Sequence, residues 1–431
     1  MRHGDEVAQE ALDALLKAGA DKASCGVSTS VVTELNVERA QIGLLRSTMN
    51  VNVNLMAIKD QKKGSVSLNS LEPSAIDRAA TDTLAMAAVS QPDPAFDIAE
   101  AQEPASFESG AKEPDHDAMY DRMKEFLDTV ADKYPTIMLR QAYLSFSRHN
   151  WSFVNSNGVD YRTEQGVYRF NALFSAREGD EVSSFNYTGF SMRDLEQELL
   201  ERGSLDIMLR QTTEQVRTRP VKGKFMGDMI IAPDCLGSFL GFLTHPLSDR
   251  PLISGTSLYK DSLGEKIAGA EFTLHSRPVS SEIADGYFVT GDGYAAENST
   301  IIDRGVLKSY LLSLYGAKKT GRERAKNNGG AYVVEPGTTP LEEAIRGVKQ
   351  GVLLVRFSGG SPSANGDFSG VAKNSYYIED GQIAYPIRET MVSGNFAEAF
   401  RNLKVVSKER VDFGWSILPW VVVPGITISG R

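Results

Sequence analysis

A chain of 431 residues, 41% of them hydrophobic and 24% charged, has the composition of a globular protein and surface enough to bury two or three cores. Its net charge of −10 argues against a general nucleic-acid binder, and its two cysteines, Cys25 and Cys235, exclude a disulfide framework and fit a reducing compartment. The start, Met1-Arg2-His3-Gly4-Asp5-Glu6, has no apolar signal core, and no run is long and apolar enough to span a bilayer, so the expectation is a cytoplasmic protein without membrane contact.

Ala8, Ala11, Leu12 and Leu15 recur at helical spacing, and Gly19 stops that helix. Met49, Val51, Val53 and Leu55 alternate with Asn50, Asn52 and Asn54, the pattern of a half-buried antiparallel strand. Lys62-Lys63-Gly64 turns the chain into Val66 and Leu68. A second amphipathic helix, opened near Pro73-Ser74, carries Ile76, Ala79, Ala80, Leu84 and Ala87. Residues 1–90 thus read as an N-terminal α+β subdomain. Over 91–115, Pro92, Pro94, Pro104 and Pro114 stand among acidic and small residues, as in an extended connector without elements of its own. Residues 116–220 form a middle α+β region. It opens with a helix carrying Met119, Met123, Phe126, Leu127 and Val130, and continues with strands divided by turns at Asn157-Gly158, Gln165-Gly166 and Glu178-Gly179-Asp180. A polar helical stretch from Arg193 to Arg219 closes it at Pro220.

Residues 221–431 read as a β-rich C-terminal domain. Ile230 and Ile231 end a strand, and Pro233-Asp234 opens a helix with Leu236, Phe239, Leu240 and Leu243 on one stripe, stopped by Pro246 and Pro251. No repeat of solenoid period is present. The fold class is α+β: an N-terminal part with antiparallel sheet and flanking helices, then a mostly antiparallel β domain. Within it, Gly359 to Gly370 is too rich in Gly, Ser, Pro and Asn for helix or central strand and reads as a loop. Asp380-Gly381 marks a tight hairpin. Gly394-Asn395 opens a helix with Phe396, Ala399, Phe400 and Leu403 inward. Asn365 and Asp367 suit side-chain bonds to nearby amides, Gly366 permits close backbone approach, and Phe368 is the apolar anchor of a polar loop.

Several motifs suggest chemistry and then fall short of it. Cys235 and His245, on one helix, stand roughly 15 Å apart, beyond reach for a thiol and its base. Ser257-Leu258-Tyr259-Lys260 matches S-x-x-K and Lys319-Thr320-Gly321 matches K-T-G, but the intervening S-D-N-type element is missing. Gly291-Asp292-Gly293-Tyr294-Ala295-Ala296 fits G-x-G-x-x-A, yet strand and hairpin residues follow where a dinucleotide site needs a helix. Lys318, Lys319, Arg322, Arg324 and Lys326 read as a solvated mobile loop, with a flap over a cleft as the functional alternative. The five histidines, His3, His116, His149, His245 and His275, include no pair at metal-ligand spacing on one helix.

Asn365-Gly366-Asp367-Phe368-Ser369, Ile378-Glu379-Asp380-Gly381-Gln382-Ile383, Val392-Ser393-Gly394-Asn395-Phe396 and Arg401-Asn402-Leu403 follow one another as at the end of the TldD/PmbA family, the modulators of DNA gyrase. Asn155-Ser156-Asn157-Gly158, Asp303-Arg304-Gly305-Val306-Leu307 and Pro424-Gly425-Ile426-Thr427-Ile428-Ser429-Gly430 keep that family's order, so the resemblance covers nearly the whole chain. One branch of the family carries an H-E-x-x-x-H zinc helix and a later cysteine ligand. Here Leu240, Gly241 and His245 fall on that motif's first, second and last positions, and no cysteine follows Cys235. The chain therefore resembles the PmbA (TldE) branch, which lacks the zinc signature. The resemblance implies a subunit without a cofactor or catalytic residue of its own. It would pair with a zinc-bearing TldD-like relative, or with itself, around a chamber where small or unfolded peptides are cut. Peptide-antibiotic precursors and antitoxins are the implied substrates. Asn365, Gly366, Asp367, Phe368, Ser369, Gly394 and Asn395 would form the loop that meets an extended peptide. A regulatory binding protein acting on a topoisomerase, and a metal-independent serine hydrolase using Ser257, are the readings from other classes.

Overall fold

The structure, a computed structural model, describes residues 2–38 and 40–430; Met1, first residue of the charged start, lies outside the described residues. The N-terminal half runs α1 (Gly4–Lys17), β1 (Lys22–Glu38), β2 (Gln41–Lys59), β3 (Lys62–Leu68), α2 (Pro73–Val89), β4 (Ala105–Ser109), α3 (His116–Lys133), β5 (Ile137–Asn155), β6 (Asp160–Glu178), β7 (Glu181–Val182), β8 (Asn186–Met192) and α4 (Leu205–Glu214). One sheet joins residues 1–90 to 116–220, in the order β3-β2-β1-β5-β6-β4, with β8 also on β6. Side chains alternate along a strand. On β1, Ala23, Cys25 and Val27 pack under α1, and Leu35 and Val37, of the same parity, join the core that α3 covers. Both helices thus lie on one face, towards opposite ends of the long strands. The other face, with Phe153 and Tyr161, meets Ala99 of the connector and Tyr294 of the C-terminal half. β3 pairs only with Val53–Lys59, so the earlier part of β2 keeps a free outer edge among the described residues.

The C-terminal half runs β9 (Lys224–Ile231), α5 (Pro233–Thr244), α6 (Asp249–Ile253), β10 (Leu274–Ser276), β11 (Ser299–Asp303), β12 (Val306–Leu307), α7 (Leu314–Thr320), β13 (Tyr332–Val334), α8 (Leu341–Arg346), β14 (Gln350–Leu354), β15 (Arg356–Gly359), β16 (Asp367–Lys373), β17 (Tyr376–Glu379), β18 (Gln382–Pro386), β19 (Thr390–Asn395), α9 (Phe396–Arg401), β20 (Val405–Asp412) and β21 (Ile417–Ser429). β21 is the hub of this sheet, bonded to β9, β13, β19 and β20. Most pairs are antiparallel; β9 with β14 and β13 with β21 are parallel. The architecture is the α+β arrangement expected. The Asp380-Gly381 hairpin forms with both residues at positive φ, 49° and 77°.

Four local expectations are corrected. Gln165-Gly166 is no turn: β6 runs straight through it. The glycine is there because the connector crosses at that point, and a Cβ on Gly166 would stand 1.7 Å from the Ala111 carbonyl oxygen. The connector is not free of elements, since Ala105–Ser109 adds parallel to β6, with Phe107 stacked 5.2 Å from Phe288. Arg193 to Arg219 is not one helix: a short turn at Leu199–Glu201 ends at Gly203, at φ +59°, and α4 begins after it. The Gly359–Gly370 loop is shorter than its composition implies, because β15 reaches Gly359 and Asp367, Phe368 and Ser369 already belong to β16.

Candidate functional site: a cleft over the helix after β9

α5 turns its apolar stripe inward, burying Leu236, Phe239, Leu240 and Leu243. Its outer stripe, Ser238, Gly241, Phe242 and His245, follows helical spacing and forms one wall of a cleft of about 420 Å3. The turn Thr256-Ser257-Leu258 and the loop from Ser361 to Gly366 supply the other walls, with Phe396 between them.

The loop is braced from beneath. The Asn395 amide donates to the Asn365 carbonyl at 2.8 Å and to Asp367 Oδ1 at 3.0 Å, while its Oδ1 accepts the Glu398 N–H and caps α9. Asn365 donates to Asp367 Oδ2 at 2.8 Å, and the Phe396 N–H donates to the Gly366 carbonyl at 2.7 Å. Gly366 sits at φ +91°, and a Cβ there would stand 3.4 Å from Leu258 across the cleft. Phe368 is buried, its ring 5.8 Å from Phe239 and 5.9 Å from Phe357. Of the seven residues singled out in the sequence, Gly366 lines the cleft. Asn365, Asp367 and Asn395 hold the loop, and Phe368 fixes it to α5. Ser369 and Gly394 lie in the β16–β19 ladder, away from the lining.

A buried pair beneath the cleft went unnoticed in the sequence. Asp234, in the first turn of α5, accepts from Ser204 Oγ at 2.8 Å and Thr188 Oγ1 at 3.2 Å, and Arg356 Nη2 stands 3.7 Å away. Arg356, first residue of β15, donates to Asn186 Oδ1 at 3.0 Å and to the Tyr187 carbonyl, and lies 4.1 Å over the Tyr187 ring. Burial raises the Asp234 pKa by more than Arg356, Ser204 and Thr188 lower it. Both cleft walls, α5 and the loop after β15, are thereby tied to β8 of the N-terminal half. The signal available was one arginine directly after the apolar run Val352 to Val355.

The remaining motifs are placed as follows. The Ser257 Oγ is buried and accepts the Tyr259 N–H at 3.0 Å, while Lys260 points into solvent from a turn. Burial pushes the Cys235 thiol up to about 12, leaving no thiolate at neutral pH, and His245 is exposed. The basic run is not a free loop: Lys318 and Lys319 end α7 and bind Asp97 and Asp93 of the connector. Arg324 grips Asp292 with two bonds of 2.8 Å while lying 3.5 Å over the Tyr294 ring. Gly291-Asp292-Gly293 is thus a turn that presents Asp292, with no helix opening on it.

Residues 223–430 match the model of the PmbA/TldA metallopeptidase C-terminal domain. A metalloprotease of Methanothermobacter thermautotrophicus is 29% identical over 51% of this chain and 52% of its own length. A metalloprotease PmbA homologue of Haemophilus influenzae is 25% identical over 93% of this chain and 90% of its own. The crystal structure of TldE from Thermococcus kodakarensis superposes with a TM-score of 0.83 at 20% identity, over 98% of this chain and all of that one, and so shares the fold. Residues 223–430 are a domain of the PmbA/TldD family. The chain spans about half the length of the first of these relatives and nine-tenths of the second.

A metallopeptidase family raises the question of a metal, and the residues at this cleft do not fit one. Leu240 is wholly buried in the core, Gly241 offers no side chain, and His245 is the one histidine in a lining that has no cysteine, aspartate or glutamate. Among the described residues no group of three or more His, Cys, Asp or Glu is placed to hold a metal ion. What the cleft offers is an apolar floor, hydroxyls and accessible backbone.

Proposed function

We propose that this chain is the peptide-shaping, non-catalytic subunit of a TldD/TldE-type metallopeptidase assembly, with the zinc supplied by a TldD-like relative. The observation that carries the reading is the cleft itself: an apolar, backbone-rich groove at the family's zinc-helix position, lined without a ligand set. An extended peptide fits such a rim. β15 pairs with β16 alone among the described residues, and its exposed Ser358 and Gly359 lead directly into the loop, so a peptide backbone has an edge to bind. Apolar residues of the peptide would settle against Phe242, Leu258 and Phe396, which select for an unfolded or short substrate rather than a folded one. The test is a peptidase assay on the lone chain, with and without zinc, and on the chain mixed with an H-E-x-x-x-H relative. Cleavage is expected only from the mixture, and the lone chain should purify with far less than one zinc per chain. Robust zinc-dependent cleavage by the lone chain overturns the proposal.

A further inference from the structure

Two walls of the cleft start from one point. α5 leaves it at Asp234 and reaches the cleft at Ser238 and Gly241. β15 leaves it at Arg356 and, about 10 Å further along, passes at Gly359 into the loop of the opposite wall. At the vertex Arg356 Nη1 donates to the Asp234 main-chain carbonyl at 3.3 Å, beside the contact between the two charged groups. Farther out the arms meet through aromatic rings, Phe357 standing 5.5 Å from Phe239 and 6.3 Å from Phe242. Rings tilt and slide against one another at little cost, whereas charged groups held by hydrogen bonds fix direction. The angle between the arms is therefore decided at the vertex.

The grip on that vertex comes from the N-terminal half. Ser204 is the N-cap residue of α4, yet its hydroxyl makes no capping bond there; it donates to Asp234 and shares a 2.7 Å bond with Thr188 of β8. Asn186, wholly buried, accepts from Arg356 and donates to Thr212 Oγ1 of α4 at 3.0 Å, so its orientation too is set from that side. Behind the same ladder, where Arg356 pairs with Lys373, the Asn374 amide donates to the Phe185 carbonyl at 2.9 Å. Apolar residues of similar volume often hold a buried contact as well as an ion pair does or better. What the polar cluster adds is direction.

We infer that Asp234 and Arg356 are positioning residues for the peptide, and that β8 and α4 of the N-terminal half set the opening of the cleft through them. This rests on the function proposed above. It makes Thr188 and Ser204 determinants of peptide affinity, although neither lines the cleft. The coupling runs both ways: a peptide seated between the arms also favours the seated N-terminal half.

The experiment is steady-state kinetics of the pair reconstituted from this chain and an H-E-x-x-x-H relative, on a fluorogenic peptide of leucine, phenylalanine and alanine. Thr188→Val takes one hydroxyl from Asp234 at nearly constant volume, and adding Ser204→Ala takes the other. KM should rise about tenfold in the double variant and by less in Thr188→Val, with kcat unchanged, because the cleft is disturbed and the cutting site lies on the relative. Thr188→Ser keeps the hydroxyl and should keep the wild-type KM. A loss of folded protein would instead lower the apparent kcat and leave KM alone, so a merely structural role reads differently. Where the double variant does not fold, Thr188→Val, which keeps the Ser204 bond, decides the matter. A wild-type pair that cuts the peptide, beside variants with the same KM, overturns this inference and leaves the proposed function standing. A wild-type pair that cuts no peptide overturns the proposed function and this inference with it.

Discussion

Phe368 shows how one side chain governs a loop it does not belong to. It sits at the start of β16, its ring enclosed by Phe239 of α5 and Phe357 of β15. The polar loop before it is otherwise held by hydrogen bonds from Asn395 and from the Phe396 N–H. Phe368→Ala should cost about 3–5 kcal/mol in chemical denaturation, because the ring is buried and its neighbours cannot close the gap. Under the proposed function, peptide processing by the reconstituted pair should fall as well, although no catalytic group is touched. Processing that stays intact in a destabilised variant would make the loop structural only. This much was legible beforehand: a lone aromatic in a Gly-Ser-Asn stretch announces an anchor. Its partners were not, because Phe239 and Phe357 are reached through the fold.

Between elements, the decisive contact is Arg356 with Asp234, which fixes β15 and α5 against β8. Arg356→Met would strand a carboxylate that is 4% exposed, and the expected loss is about 3–5 kcal/mol. The sign of its pH dependence follows from the direction of the shift. Asp234 titrates above its ordinary 3.8 in the fold, so its contribution is best below that value, where it is protonated in both states, and is lost as pH rises through the raised value. Removing the arginine raises that pKa further. The deficit of Arg356→Met against wild type should therefore be smallest in acid and grow towards neutrality; thermal melts across pH check it, and a deficit independent of pH would refute it. Elements with a local signature were readable in the sequence: the α5 stripe, the Asp380-Gly381 hairpin, the Asn395 cap. Pairings between distant segments left no such trace, and so β4 and the break at Gly203 were missed.

At the scale of the molecule, the connector acts as a clasp. Asp97 receives Lys22 of β1 and Lys318 of α7, and Asp93 receives Lys319 and, at 2.9 Å, Tyr315 Oη. Burial works against the Asp97 charge, but the bonds from Lys22 and Lys318 outweigh it and hold its pKa at about 2. A depressed carboxylate stabilises above its ordinary value and loses that contribution as pH falls through the depressed one. Asp97→Asn should cost about 1 kcal/mol at neutral pH, the two exposed lysines limiting the effect, and the gap to wild type should close as pH drops from 3.8 towards 2. A gap that persists in acid would mean that the carboxylate charge is not what closes the clasp. The same clasp explains why the start of the basic run looked like a flap: the acids that hold Lys318 and Lys319 lie more than 200 residues earlier, 221 for the Lys318 pair. Position along the chain has a further consequence for β21. The ribosome makes β9, β13, β19 and β20 before it makes the strand they all share, so the C-terminal sheet cannot close while they emerge. The side of β9 that carries Met229-Ile230-Ile231 must wait in the open for Val421-Val422-Val423 of β21, and a nascent chain in that state is a natural client for a chaperone.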